Sequence, residues 1–207
     1  ISTDNDYFLE HLLKEISYLN SDDDIVVVSE LKPIEFESLK IKWINACSYS
    51  SEALKEANAS DAKVAFVDHK HDGLTLITVM ELEKSSSGTI FTVASYHEND
   101  FDQQLLKAGC DFCLSTNELT APLLSQTSVH PGSAVLIERI ISGEKPSERI
   151  FSRKLNKKWE STTWLNTINK LKNEFSYLPV GLIRDQDGKM FSHPNNDFLV
   201  NSNDIIL

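Results

Sequence analysis

Five short apolar runs, mostly separated by helix-length segments, decide what this chain can fold into. The runs are Ile25–Val28, Ile41–Ala46, Ala62–Val67, Thr89–Ala94 and Phe112–Leu114. Near-continuous apolar runs of this length belong to strands buried on both faces. Residues 5–19 carry Phe8, Leu9, Leu12, Leu13, Ile16 and Leu19 on one helical face, with Asp4 or Asn5 as cap. Further helices are predicted from Ser50 or Ser51 through Leu54 and Ala57, over Asp72–Leu82 and over Phe101–Ala108. Strands alternating with helices imply right-handed crossovers and a parallel sheet covered on both faces, an α/β architecture of the Rossmann-like type.

Against that rhythm, no glycine precedes Gly73. A dinucleotide fold places glycines in its first strand-to-helix turn so that backbone can approach a pyrophosphate. Here the turn reads Ser2-Thr3-Asp4-Asn5-Asp6, with two carboxylates where phosphate charge would go. Only Ile1 remains for a strand before it, so an apolar strand is expected immediately upstream.

Beyond Asn117 the pattern changes. Pro122 and Val129-His130-Pro131-Gly132 interrupt a helical stretch, giving two helices that break near Pro131, the second over Ser133–Ile141. A polar linker from Gly143 to Glu148 follows. The tail alternates over Arg149–Leu155, is amphipathic over Trp164–Phe175, and then reads as a strand (Leu178–Arg184), a turn at Asp187-Gly188, a hairpin strand (Lys189–Ser192) and a last strand, Ile205–Leu207. The expected domains are 1–116, 117–143 as crossover helices, and 144–207 as a small α+β lobe.

Composition narrows the function classes. With 20 basic against 31 acidic residues the net charge is −11. That argues against nucleic acid, which needs a basic face, and against an anionic membrane surface. No apolar run approaches the ~20 residues of a membrane span. Three cysteines make no disulfide framework, and a reducing cytoplasm is expected. Cys110-Asp111-Phe112-Cys113 is formally C-x-x-C but lies in a strand-like run, where Cys acts as a small hydrophobe.

Several segments together carry a resemblance. They are Leu54-Lys55-Glu56-Ala57-Asn58 before Ala62–Asp68, then Leu105–Asp111 with its A-G-x-D ending, then the helix break at His130-Pro131-Gly132. In the tail they are Pro179–Arg184, Asp187-Gly188, Pro194 and Asn203–Leu207. In this order and spacing the chain resembles RCK (regulator of potassium conductance) domains, with TrkA-N-like and TrkA-C-like lobes, over nearly its whole length. The resemblance implies a cytosolic gating-ring domain of a potassium channel or transporter, on the cytoplasmic side of the membrane. It implies a homo-oligomer, dimeric through the helices after the sheet and assembling to a tetrameric or octameric ring, with a transmembrane pore on the same or a partner chain. It implies no catalysis and no nucleic acid.

The same resemblance places candidate ligand residues. Ser2, Thr3, Asp4 and Asn5 align with the nucleotide-binding turn. Ser29 and Glu30 end the second strand, where an acid holds ribose hydroxyls. Asp68 ends the strongest strand. NAD, ADP or ATP would bind there weakly, since Asp4 and Asp6 oppose an anion. A divalent cation on Asp68 and Glu98 is the other candidate, although calcium wants six to eight oxygens. His69, His71 and His97 add nitrogen donors. Asp22-Asp23-Asp24 precedes a strand, the wrong side for a phospho-receiver, and Ser128 with His130 lacks an orienting acid. Neither G-x-S-x-G nor H-E-x-x-H occurs. The competing readings are a fragment of an NAD-dependent oxidoreductase or epimerase, and a structural ring domain without ligand.

Overall fold

The computed structural model describes residues 1–19, 22–142, 144, 150–185 and 187–207. Backbone packing divides the chain into two compact units, Ile1–Ser147 and Glu148–Leu207.

The first unit contains a six-stranded parallel sheet. Its strands are β1 (Ser2–Thr3), β2 (Asp24–Val28), β3 (Lys40–Ile44), β4 (Val64–Asp68), β5 (Phe91–Tyr96) and β6 (Phe112–Ser115). Their spatial order is β3-β2-β1-β4-β5-β6. Strand order therefore reverses between β1 and β4, and the crevice outside their carboxyl ends is where folds of this type place ligands.

The helices are α1 (Asp6–Tyr18), α2 (Ser51–Glu56), α3 (Asp72–Ser86) and α4 (Asp102–Lys107), followed by α5 (Thr116–Val129) and α6 (Ser133–Ile141). Leu9 and Leu13 of α1 pack with Val27, Ile25 and Trp43 on one face of the sheet. Leu54 of α2, Val79 and Leu82 of α3, and Leu105 of α4 pack with Val28, Ala65, Val67 and Ala94 on the other. Asn5 caps α1 through Phe8 N, Ser50 caps α2 through Ala53 N, and Ser115 caps α5 through Glu118 N.

Three expectations change. Ser2 and Thr3 belong to the central strand, pairing with Val28, Val67 and Asp68, so the first turn begins at Asp4. Both side chains are buried, and the Ser2 hydroxyl donates to the Ser48 carbonyl, which lets a polar residue sit mid-sheet. Pro122 lies inside α5 without ending it. It forfeits one amide bond on an exposed helix, and the break falls at His130–Gly132, where Gly132 has φ +126°. In the tail, the strand expected from Arg149 is confined to Arg153–Lys154, and residue 149 lies outside the described residues, as does most of the 143–148 linker.

The second unit holds β7 (Arg153–Lys154), β8 (Thr162–Thr163), α7 (Trp164–Phe175), β9 (Gly181–Ile183), β10 (Met190–Ser192), β11 (Leu199–Val200) and β12 (Ile205–Ile206). One antiparallel sheet runs β10-β9-β12-β7, and β11 pairs with β8. Trp164 and Leu171 of α7 pack on Leu182, Val200 and Ile206. Asp204 is fully buried and staples the loops: it accepts from Arg184 Nη1 (2.9 Å), Asp185 N (3.4 Å) and Asn201 N (2.8 Å).

Removing that carboxylate strands a largely buried guanidinium and two amides. Asp204→Ala should therefore lower stability by about 3–5 kcal/mol, the usual result of breaking a buried pair. Urea unfolding of the full chain, followed by Trp fluorescence, measures this; a loss below about 1 kcal/mol would contradict the stapling role.

Candidate functional site at the carboxyl edge of the sheet

The edge is built by the turn after β1, the ends of β2 and β4, and the turn after β5. Its amides are largely taken by side chains of the protein itself. Thr3 Oγ1 accepts from Asn5 N (2.9 Å), Asn5 Oδ1 accepts from Phe8 N (3.3 Å), and Asp4 Oδ1 accepts from Lys70 N (2.8 Å). Amides at a helix start are what an anion would use, and here short polar side chains already fill that role. Asp6 lies exposed in the first turn of α1 and adds negative charge.

Asp68 is the centre of the edge. It is 1% exposed, and both carboxylate oxygens are engaged, Oδ2 by Asn5 Nδ2 (2.8 Å) and Oδ1 by the Ser95 hydroxyl. Burial raises its pKa above the ordinary carboxylate value, against the lowering pull of the Asn5 hydrogen bond.

Next to it, His69 is completely buried. Thr78 donates its hydroxyl proton to the Leu74 carbonyl (2.9 Å), so at 3.0 Å from His69 Nε2 it must receive. The proton therefore sits on Nε2, and Nδ1 accepts from the Ser48 hydroxyl at 3.3 Å. Asp4 Oδ1 lies 3.6 Å from Nδ1. Burial nevertheless wins and pushes the ring pKa below its ordinary 6.5. The neutral ring is a structural bridge between the β3–α2 loop, β4 and α3.

Asp72, at the start of α3, is also buried and accepts from His97 N (3.0 Å) and Glu98 N (2.7 Å). It moors the loop after β5 to α3. Sequence reasoning gave Asp72 no role; its signal was an acid at a helix start two residues beyond a strand-end turn.

The remaining expected residues fall as follows. Ser2 is buried and bonded to Ser48, below the edge. Ser29 is buried, and its hydroxyl accepts from Leu31 N (3.0 Å), closing a turn. Glu30 is exposed beyond it. Tyr49 sets its ring edge-on to the His69 imidazole at 6.3 Å. A hydrogen bond to Cys47, then that residue's charge, raises the Tyr49 phenol, with smaller contributions from burial, Glu30 and Asp4. Glu98 is exposed and meets the edge through its backbone N–H. Among the described residues, no group of three or more His, Cys, Asp or Glu side chains is placed to hold a metal ion. Cys110 is buried, and burial pushes its thiol up to about 11, so the C-x-x-C pair offers no ready thiolate.

The TrkA-N domain model matches residues 10–116. No curated protein sequence matches the chain. Among solved structures, the chain is similar to the human SLO3 gating ring, at 13% identity over 93% of this chain and 41% of that one, with a TM-score of 0.65. It is also similar to the GsuK RCK domain, at 17% identity over 87% of this chain and 37% of that one (TM-score 0.45). The GsuK channel bound to NAD is similar at 16% identity over 90% and 36% (TM-score 0.45). The chain thus spans well under half the length of each. No helix among the described residues is long and apolar enough to cross a membrane.

The His69 assignment has a direct check. Nitrogen-detected NMR should show the neutral Nε2–H tautomer, with a titration midpoint below 6.5. Between that midpoint and 6.5 the unfolded chain holds more protons than the folded one, so stability should rise with pH across the window. His69→Gln should flatten that rise; an unchanged slope would remove His69 from the network.

Proposed function

Because this chain belongs to the TrkA-N domain family, we propose that it is a regulatory domain of a potassium channel or potassium transporter. On this reading it self-associates and senses a ligand at the cytoplasmic side of the membrane, and it catalyses nothing. Family membership over residues 10–116 is the observation that carries the reading. The fold likeness to the human SLO3 gating ring supports it.

Self-association is placed on α5 and α6, the crossover helices. Leu124 and Val129 of α5 and Leu136 and Ile141 of α6 are 59–73% exposed. Helices that show water this much apolar surface are suited to a neighbour. Two such copies form a dimer, and dimers build the tetrameric or octameric ring. Residues 144–207 form the small lobe of each copy. A ligand moves such a ring only by binding one of its shapes better than another.

The ligand edge is Asp4, Asn5, Glu30 and Asp68, with Ser2, Thr3 and Ser29 supporting it from beneath. Its amides are capped and its charge is negative, so NAD, ADP and ATP bind weakly. A divalent cation on Asp68 and Glu98 would first have to displace the Asn5 and Ser95 hydrogen bonds. One observation favours a second reading, a structural ring domain without ligand: the polar groups around Asp68 and His69 already satisfy one another.

Two measurements test the proposal. Light scattering after size exclusion should show dimers or larger species, and the paired changes Leu136→Asp and Ile141→Asp should give a folded monomer. A wild-type chain that stays monomeric at high concentration would sink the ring model. Calorimetric titration with ADP should show weak binding that Asp4→Asn improves by about tenfold, since losing one like charge near 4 Å is worth about 1–4 kcal/mol. Tight binding by the wild type would overturn the assignment of an opposing edge.

A further inference from the structure

One edge of the antiparallel sheet in the second unit is open. The order β10-β9-β12-β7 pairs β7 with β12 on one side, and among the described residues no strand lies on its other side. Leu155 N donates to the Asp204 carbonyl at 2.8 Å, and the register then sets Lys154 opposite Ile205 and Arg153 opposite Ile206. Hydrogen bonding alternates along an antiparallel strand. Leu155 and Arg153 therefore turn their peptide groups towards β12, and Lys154 turns its N–H and C=O outward. An added strand would meet those two groups.

An aromatic cluster flanks the same edge. Phe151 meets Tyr177 edge-on with 4.6 Å between centroids, and Tyr177 stacks on Phe175 at 6.0 Å. The Arg153 guanidinium lies 5.3 Å from the centre of the Phe175 ring. Phe175 ends α7, so the cluster belongs to the side of the sheet that α7 covers. All three rings are 38–47% exposed. Covering large rings like these is what most stabilises a contact between protein surfaces.

Charge then selects the occupant. Arg153, Lys154, Lys157 and Lys158 fall in one short stretch that holds no acid. Lys154 pairs with Asp185 at 3.3 Å, whereas Arg153 lies over the Phe175 ring with no ion pair among the described residues. A second copy joined edge to edge would set these cations against their own counterparts. Like charges opposite one another destabilise a strand pair, and lysine on an edge strand commonly guards against such pairing. A nucleic-acid strand would meet a chain of net charge −11. An extended acidic peptide has neither difficulty. Its backbone can meet the outward groups of Lys154 while a carboxylate reaches Arg153.

We propose that the open edge of β7 docks an extended acidic segment of a partner protein. The segment adds a strand beside β7 and places a glutamate or aspartate by Arg153. Two residues to either side, on the same face of the strand, it carries apolar side chains that cover Phe151, Phe175 and Tyr177.

The test titrates the 207-residue chain with a labelled, end-capped peptide, Ile-Thr-Glu-Thr-Phe, and follows fluorescence anisotropy and amide exchange. The glutamate and both apolar residues share one face whichever way the peptide runs. Binding should slow exchange at Lys154 by about tenfold. Ile-Thr-Lys-Thr-Phe should bind about tenfold more weakly, a comparison that needs no change in the protein, and Arg153→Glu should remove the preference. No binding up to about 1 mM peptide, equal binding of the two peptides, or binding that leaves Lys154 exchange unchanged would each overturn the proposal. Protection of Lys154 that grows with protein concentration alone would give the edge to a second copy and overturn it as well. So would tighter binding of single-stranded oligothymidylate than of the acidic peptide. Self-association through α5 and α6 and binding of ADP do not enter these readouts, so the outcome stands apart from that of the regulatory reading.

Discussion

The Asp68 carboxylate is the interaction on which the edge depends. It stands at the end of β4, where strand order reverses, and its two oxygens hold the turn after β1 through Asn5 and the end of β5 through Ser95. Burial makes an ionised carboxylate costly here, and two donors offset part of that penalty. The partners are then as constrained as the acid. Asn5 accepts from Phe8 N with its oxygen, and its amide nitrogen is left pointing at Asp68. One side chain thus caps α1 and ties β1 to β4, so α1 cannot shift without disturbing the crevice. Any ligand that enters must either leave this pairing alone or compensate for breaking it.

Much of this was legible in the sequence. Apolar runs and helical spacing located the strands and helices of the sheet to within a few residues, because a strand buried on both faces leaves a compositional mark. The A-G-x-D piece now has a physical meaning. Gly109 turns at φ +104° after α4, where a Cβ would stand 2.4 Å from Glu83 Cγ. Asp111 then accepts from Thr92 N at 2.7 Å and aligns β6 beside β5. That motif serves the fold and not a ligand. What the sequence hid was pairing across distance. Ser2 looks like a turn residue until Ser48 is seen to take its hydroxyl proton. His69 looks like a loop histidine until Thr78, nine residues on, fixes its tautomer. Hydroxyl and imidazole partners of this kind leave no periodic trace. The small strands of the second unit escaped for a related reason, since two-residue pairings such as β8 with β11 are too short to alternate visibly.

The absence of glycine before Gly73 also gains a structural explanation. Glycines in a phosphate turn let backbone N–H groups approach the ligand. In this chain the turn amide of Asn5 and the helix-start amide of Phe8 are met by Thr3 and Asn5, and Asp4 takes the neighbouring amide of Lys70. Side chains that bond their own turn need a Cβ, so glycine would undo the arrangement it normally serves. The acidic character follows from the same choice: Asn and Asp are the short side chains that accept from nearby amides, and Asp4 uses that capacity across to Lys70, the second residue after β4. The turn is an inverted version of an anion cradle, with acceptors supplied from within.

Exposure of apolar groups in the first unit is uneven, and the unevenness is informative. On β4, β5 and β6 alternate residues face opposite sides, and the registers Val64 with Phe91 and Val93 with Phe112 put these four on one side. Val64, Phe91 and Phe112 are 44–50% exposed, while the other side, carrying Ala65, Thr92 and Ala94, is sealed beneath α3 and α4. α1 and the segment from Leu31 to Leu39 cover the matching side only over β1 to β3. The open half of the sheet and the exposed apolar residues of α5 and α6 thus belong to one unit, and a single copy leaves both facing water. Leaving both open raises the free energy of the isolated unit in proportion to apolar area, and that is the cost the proposed self-association would relieve.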